Sequence, residues 1–237
     1  MSASTSTSCL VHHLPATSDL RNAGRFHGTA AARAIHAFLS TKEIASLIAF
    51  AGDGGKAILN NLRAASMKCT PWLEAEIEGI AEGAGVEVLA IWCVTLLSEL
   101  QHAQLAAGSS AKKWTPGHCS DVMSRCADGG VLLGHNEDWT PEWANLMYWV
   151  VYHPAEGASF DPIGGLVYPG QPPGFAVTFS STVWTSQNGL FPRAQCTSGV
   201  CIIAVVRRAL REASAASVAE QIRRAGQALG IDRKSVV

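Results

Sequence analysis

Cys119 opens a stretch whose residue types could carry nucleophilic chemistry: Cys119-Ser120-Asp121-Val122-Met123-Ser124-Arg125-Cys126, the glycine pair Gly129-Gly130, then Val131 to Trp139 with His135, Asn136, Glu137 and Asp138 near its end. Side chains alternate on both sides of the glycine pair, a pattern that predicts two short antiparallel strands joined by a turn. Folding back there brings Cys119 near Asn136 and Asp138. A thiol, an amide and a carboxylate then meet, which suits covalent catalysis: the nucleophile needs a group to steer its proton and a donor to hold the developing oxyanion. Taken singly, an Asn or Asp close to a glycine is ordinarily a turn residue.

Five motifs fall in one order along the chain: Gly24-Arg25-Phe26-His27-Gly28, the run Glu76 to Ala84, Cys119, Gly134-His135-Asn136-Glu137-Asp138, and Asn188-Gly189-Leu190-Phe191-Pro192. This series resembles the peptidase C45 family, the acyl-coenzyme A:6-aminopenicillanic acid acyltransferases and β-alanyl-dopamine hydrolases, which are N-terminal-nucleophile hydrolases. The resemblance spans about residues 20 to 230. It implies an α+β protein with an αββα sandwich, and cleavage of the bond between His118 and Cys119 by the cysteine itself. The freed α-amine, of ordinary pKa about 8, would then serve as the base for its own thiol. By the same resemblance Asp138 orients that amine, Asn188 holds the oxyanion, and Asn136 is a further donor.

The implied organisation is a disordered 1–19, a helical pro-segment or α chain at 20–118, and a sheet-rich β chain at 119–237. Relatives carry glycine before the cysteine, where this chain has His118. They carry Asn-x-Arg-x-Glu where this chain has Thr95-Leu96-Leu97-Ser98-Glu99. They also continue with further strands and a late arginine, so the expectation is a C-terminally truncated member with an incomplete sheet, whose exposed faces would favour self-association. Small-molecule amides or acyl thioesters are the implied substrates, with no cofactor. The alternative is a catalytically inactive relative that binds a partner or ligand.

The elements that must position these residues follow from composition and period. With 237 residues, 48% hydrophobic content and a net charge of −1, the chain can bury a substantial core. Its 18 basic and 19 acidic residues are interspersed, which excludes the basic footprint of a nucleic-acid binder. No apolar run approaches the ~20 residues of a membrane span, and the Ser/Thr-rich start lacks the regions of a secretory signal. A cytoplasmic protein without a membrane partner is expected.

Helix formers dominate residues 24–105 and predict helices at 28–50, 55–66, 71–83 and 86–101. Strands are predicted at 119–126, 130–138, 146–153, 164–168, 175–180 and 182–187, and helices at 199–213 and 217–229, the last from the capping pattern Ser217-x-x-Glu220. Residues 106–118 read as a polar linker ending at the cysteine. Seven cysteines without a Cys-x-x-Cys pair read mostly as reduced thiols, with Cys93 packed in the core. The eight histidines show no i, i+4 pair with a carboxylate, so no metal site is expected. His118 and His135 flank the proposed site as tuning residues or alternative bases, and the aromatic residues after position 138 are expected mainly in the core.

Overall fold

The computed structural model describes residues 9–108, 119–138, 140–189, 195–224, 226–228 and 231–232. Among these, the first half is helical: α1 (Leu20–Leu39), α2 (Lys42–Gly52), α3 (Lys56–Cys69), α4 (Leu73–Ala84), α5 (Val88–Thr95) and α6 (Leu97–Ala106). The long helix expected at 28–50 is two helices, broken where Ser40 and Thr41 turn their hydroxyls onto the carbonyls of His36 and Phe38. Asp19 caps α1 by accepting from the Asn22 amide at 2.8 Å, so that helix starts eight residues before its expected start. α5 is apolar nearly all round and buried, whereas α1 to α4 each bury one stripe.

The glycines of the two early motifs form the tightest contact in the helical half. Gly24 and Gly28 of α1 lie against the backbone of α4 at Glu76 and Ile80, while Gly79 and Gly83 of α4 lie against Arg21 and Arg25. A β-carbon at any of the four would overlap a carbonyl oxygen of the facing helix. The Gly-x-x-x-Gly spacing on both helices therefore brings two backbones together, and Arg21 bridges outside to Glu78.

After Cys119 the chain is sheet-rich. Strands β2 (Ser120–Arg125) and β3 (Val131–Asn136) form a separate hairpin. After a short helix, α7 (Pro141–Ala144), come β4 (Tyr148–Tyr152), β5 (Ile163–Val167), β6 (Val177–Ser180) and β7 (Trp184–Ser186). These four are antiparallel neighbours, and β1 (Val11–His13) adds a parallel edge to β4, giving the order β1-β4-β5-β6-β7. The expected disorder through residue 19 thus does not describe residues 11–13, which pair along one edge with Trp149–Val151. The chain closes with β8 (Asn188–Gly189) paired to β9 (Ile231–Asp232), around α8 (Ile202–Ala209) and α9 (Ala215–Arg224). Ser214, not Ser217, caps α9, accepting from the Ser217 amide at 3.2 Å.

The protein is a mixed α+β structure in which helices cover one face of the five-stranded sheet. Tyr148, Val150 and Tyr152 point to α1, where buried His27 lies 2.7 Å from the Tyr148 hydroxyl and 2.9 Å from that of Tyr152. Beneath them Arg207 of α8 pairs with Glu76 at 2.6 Å. The opposite sheet face carries Trp149, Leu166, Phe179 and Trp184, only partly covered, with Phe179 and Trp184 stacked at 4.5 Å. Among the described residues no disulfide joins the cysteines, and burial pushes the Cys93 thiol up to about 12. No single described helix is long and apolar enough to cross a membrane.

Candidate functional site

The hairpin β2–β3 decides which side chains meet Cys119. Its turn is a three-residue loop at 127–129: the Gly129 amide donates to the Cys126 carbonyl at 3.0 Å, Cys126 and Gly130 close the ladder, and Gly129 takes φ +88°. That loop sets a register pairing Ser120 with Asn136 and Asp121 with His135, so Cys119 stands across from Glu137. Side chains alternate faces along a strand. Cys119, Asp121, His135 and Glu137 consequently share one face, and Ser120, Asn136 and Asp138 take the other.

On the first face the groups form a continuous hydrogen-bonded line. The Cys119 thiol donates to Glu137 Oε1 at 3.3 Å, and the Tyr168 hydroxyl donates to the same oxygen at 3.0 Å. Glu137 Oε2 lies 3.0 Å from His135 Nε2, and His135 Nδ1 lies 2.8 Å from Asp121 Oδ1. Asp121 Oδ2 then accepts from Asn188 Nδ2 at 2.6 Å, which ties β8 to the hairpin. The side chains of His135, Asp121 and Glu137 are 4%, 6% and 9% exposed.

Burial alone would lower the His135 pKa; the hydrogen bonds and charges of Glu137 and Asp121 outweigh it and raise the pKa above the ordinary value. An imidazolium there neutralises two carboxylates that would otherwise repel. Tyr168 is held as the neutral phenol, first by burial and then by the Glu137 charge.

Beside this line lies a cavity of about 160 Å³ lined by Glu137, Asp138, Trp143, Met147 and Tyr168. One polar edge and an apolar aromatic wall suit a small organic group. A larger hollow of about 220 Å³ between Trp72, Phe160, Asp161, Arg207 and Arg211 holds none of the Cys119 line. Its cations are already engaged, Arg207 by Glu76 and Arg211 over the Trp72 ring at 4.6 Å.

The residues expected from sequence are thus divided. Cys119 and Asn188 belong to one network, linked through Glu137, His135 and Asp121. Asn136 and Asp138 bond each other at 2.6 Å on the other face, where Asn136 is exposed, although Asp138 still lines the cavity. The thiol's carboxylate partner is Glu137 in place of the expected Asp138. His118 lies outside the described residues, as do Trp139 and most of the 106–118 linker. Asp121, Glu137 and Tyr168 join the residues expected from sequence, and His135, expected as a tuning residue or alternative base, lies at the centre of the line. Ser120, between Cys119 and Asp121, and Asn136, between His135 and Glu137, are polar too, so alternation by itself does not mark Asp121, His135 and Glu137; their shared face follows from the hairpin register.

Glu99 of α6 is buried and supports α8. Its Oε1 accepts from the Ile202 amide at 3.0 Å and so caps α8, and the neighbouring Leu97 is buried. No protein-family model matches this chain, and no curated protein matches it.

Proposed function

We propose that the chain is a self-processing cysteine N-terminal-nucleophile amidohydrolase or acyltransferase, acting on small N-acyl amides or acyl thioesters through an acyl-enzyme on Cys119. The observation that carries this reading is the thiol at the head of β2, hydrogen-bonded to Glu137 at the edge of an aromatic-walled cavity. In this reading scission between His118 and Cys119 gives Cys119 an α-amine. The amine takes the thiol proton as sulfur bonds the substrate carbonyl carbon. The C–N or C–S bond then breaks, the proton passes to the leaving amine or thiol, and water or a second amine removes the acyl group.

Asp138 lines the cavity and would orient the amine. Asn188 would serve the oxyanion by exchanging its bond to Asp121 for one to the substrate, a donor whose loss costs about 10²–10³ in rate. The matching architecture is the αββα sandwich, with a second sheet stacked on the partly covered face that bears Trp149, Leu166, Phe179 and Trp184. Helices over one face and half-covered aromatics on the other support it.

Intact-mass spectrometry tests the reading. Two fragments separated at Cys119, a trapped acyl group on the second and loss of both in Cys119→Ala are expected; an unbroken chain whose thiol takes no acyl group overturns it. One observation favours a second reading, an ordinary cysteine hydrolase with His135 as base: Cys119 Sγ and a His135 ring nitrogen lie within 4.8 Å. An acylated but unbroken chain, with acylation abolished by His135→Ala, would select that one.

A further inference from the structure

We propose that Cys119, His135 and Glu137 form a site for a thiophilic divalent transition metal, zinc(II) being the best match, and that the bound ion withholds the thiol from acylation. The second half rests on the acyl-enzyme reading above; the binding half does not. One ligand atom from each residue, the sulfur, a ring nitrogen and a carboxylate oxygen, lie within 4.8 Å of one another. A tetrahedral zinc shell has ligand-to-ligand edges of about 3.3–3.8 Å, given metal–ligand bonds of about 2.0–2.3 Å. The two oxygens of Glu137 each make one contact near that length, Oε1 to the Cys119 sulfur at 3.3 Å and Oε2 to His135 Nε2 at 3.0 Å, so a small turn of the carboxylate brings one oxygen into a shell with both.

The surroundings are those of a metal ligand set. Asp121 holds His135 Nδ1 at 2.8 Å, which turns Nε2 toward Glu137 and reproduces the carboxylate–histidine–metal arrangement that fixes ring orientation. Asp121 is anchored in turn by Asn188, and Glu137 by the Tyr168 hydroxyl. Two carboxylates around a charged imidazole would make sense as an ion pair alone, but that account gives no reason for a thiol on the same carboxylate.

A soft sulfur with nitrogen and one oxygen selects zinc or cobalt over magnesium or calcium. Thiolate and the Glu137 carboxylate together balance a divalent charge, and the remaining charge, on Asp121, is held by hydrogen bonds from His135 Nδ1 and Asn188 Nδ2. Binding releases the thiol proton, and any proton on Nε2, to solvent. The fourth position falls to water or to a donor in the adjacent cavity. The ligands face each other across two strands, so no helical histidine spacing marks the site.

Cobalt(II) chloride titrated into the metal-free full chain tests the site by absorption spectroscopy. One equivalent is expected to give a thiolate-to-cobalt charge-transfer band and the intense visible bands of four-coordinate cobalt. Cys119→Ser removes the charge-transfer band, and Asp121→Asn, which leaves all three ligands, weakens binding by about 10–100-fold. Zinc chloride is expected to displace cobalt and slow alkylation of Cys119 by iodoacetamide. Cobalt binding without a charge-transfer band, or binding unmoved by Cys119→Ser and His135→Ala, overturns the site.

Far-UV circular dichroism of each metal-free variant establishes that it folds; if His135→Ala does not, Glu137→Gln supplies the same comparison. Acylation of the metal-free chain reports on the enzyme separately. Acylation without cobalt binding sinks only the metal site, whereas cobalt binding without acylation sinks the enzymology and the inhibition with it.

Discussion

Glu99 illustrates what a single buried group does to this protein. Burial, opposed by the backbone amides of Ile202 and of Glu99 itself, raises its pKa from the ordinary 4.5 to about 7. A carboxyl whose pKa is raised in the fold binds its proton more tightly there than in the unfolded chain. Its contribution to stability is therefore full below about 4.5 and is lost as pH rises through about 7. His27 acts in the other direction: burial first, and then the neighbouring His12, lower its pKa from 6.5 to about 3, so its contribution is full above 6.5 and is lost as pH falls toward 3.

The two slopes oppose each other between about 4.5 and 6.5. Glu99→Gln should remove the first and leave the second, making the chain gain stability relative to the parent as pH rises from 5 to 8, by roughly 3 kcal/mol at most. Urea melts across that range read the difference. Parallel curves for the two proteins would show that Glu99 is not protonated in the fold.

Among the elements, the contact between α1 and α4 is the one that a single methyl group should break. Alanine in place of a helical glycine ordinarily gains about 1 kcal/mol in helix propensity. At Gly28 or Gly79 the added carbon meets a carbonyl oxygen of the facing helix, so the helices must separate. Overpacking of this kind costs about 1–3 kcal/mol. Gly28→Ala and Gly79→Ala are expected to lower the urea midpoint, while Gly52→Ala, with nothing within 4 Å of its added carbon, is expected to hold or raise it. Equal effects at all three positions would refute close backbone packing.

Hairpin register accounts for the exchange of Asp138 for Glu137. Alternation marks both strands of the hairpin and the glycines mark its turn, yet a loop one residue longer would put Asp138 opposite Cys119. The three-residue loop with Gly129 at positive φ settles the register, and every side chain on β3 follows from it.

At the level of the whole molecule, the hairpin stands apart from the five-stranded sheet and pairs with no other described strand. Its tip exposes Val122 and Leu132 on one face, at 68% and 63%, and Met123 and Val131 on the other. Apolar strands with open edges pair with further strands when they can. Self-association is the expected result. The double substitution Val122→Lys and Leu132→Lys should shift the chain toward monomer in light scattering, with less than about 0.5 kcal/mol change in stability because both sites are exposed. A monomeric parent at the same concentration would contradict this.

Local chemistry in the sequence was sufficient for the helical first half, the six strands after Cys119 and the Cys119 hairpin itself, because period and turn residues act over a few positions. It marked Cys119, whereas Asn188 came from the family resemblance, and their connection through Glu137, His135 and Asp121 is a tertiary result. It did not reveal that β1 pairs with β4, that the motif glycines lock α1 to α4, or that Asp121, His135, Glu137 and Tyr168 gather at the thiol. Those outcomes depend on register and on contacts between distant segments, where one residue of slip turns a side chain to the opposite face, and only the tertiary structure settles which face is buried.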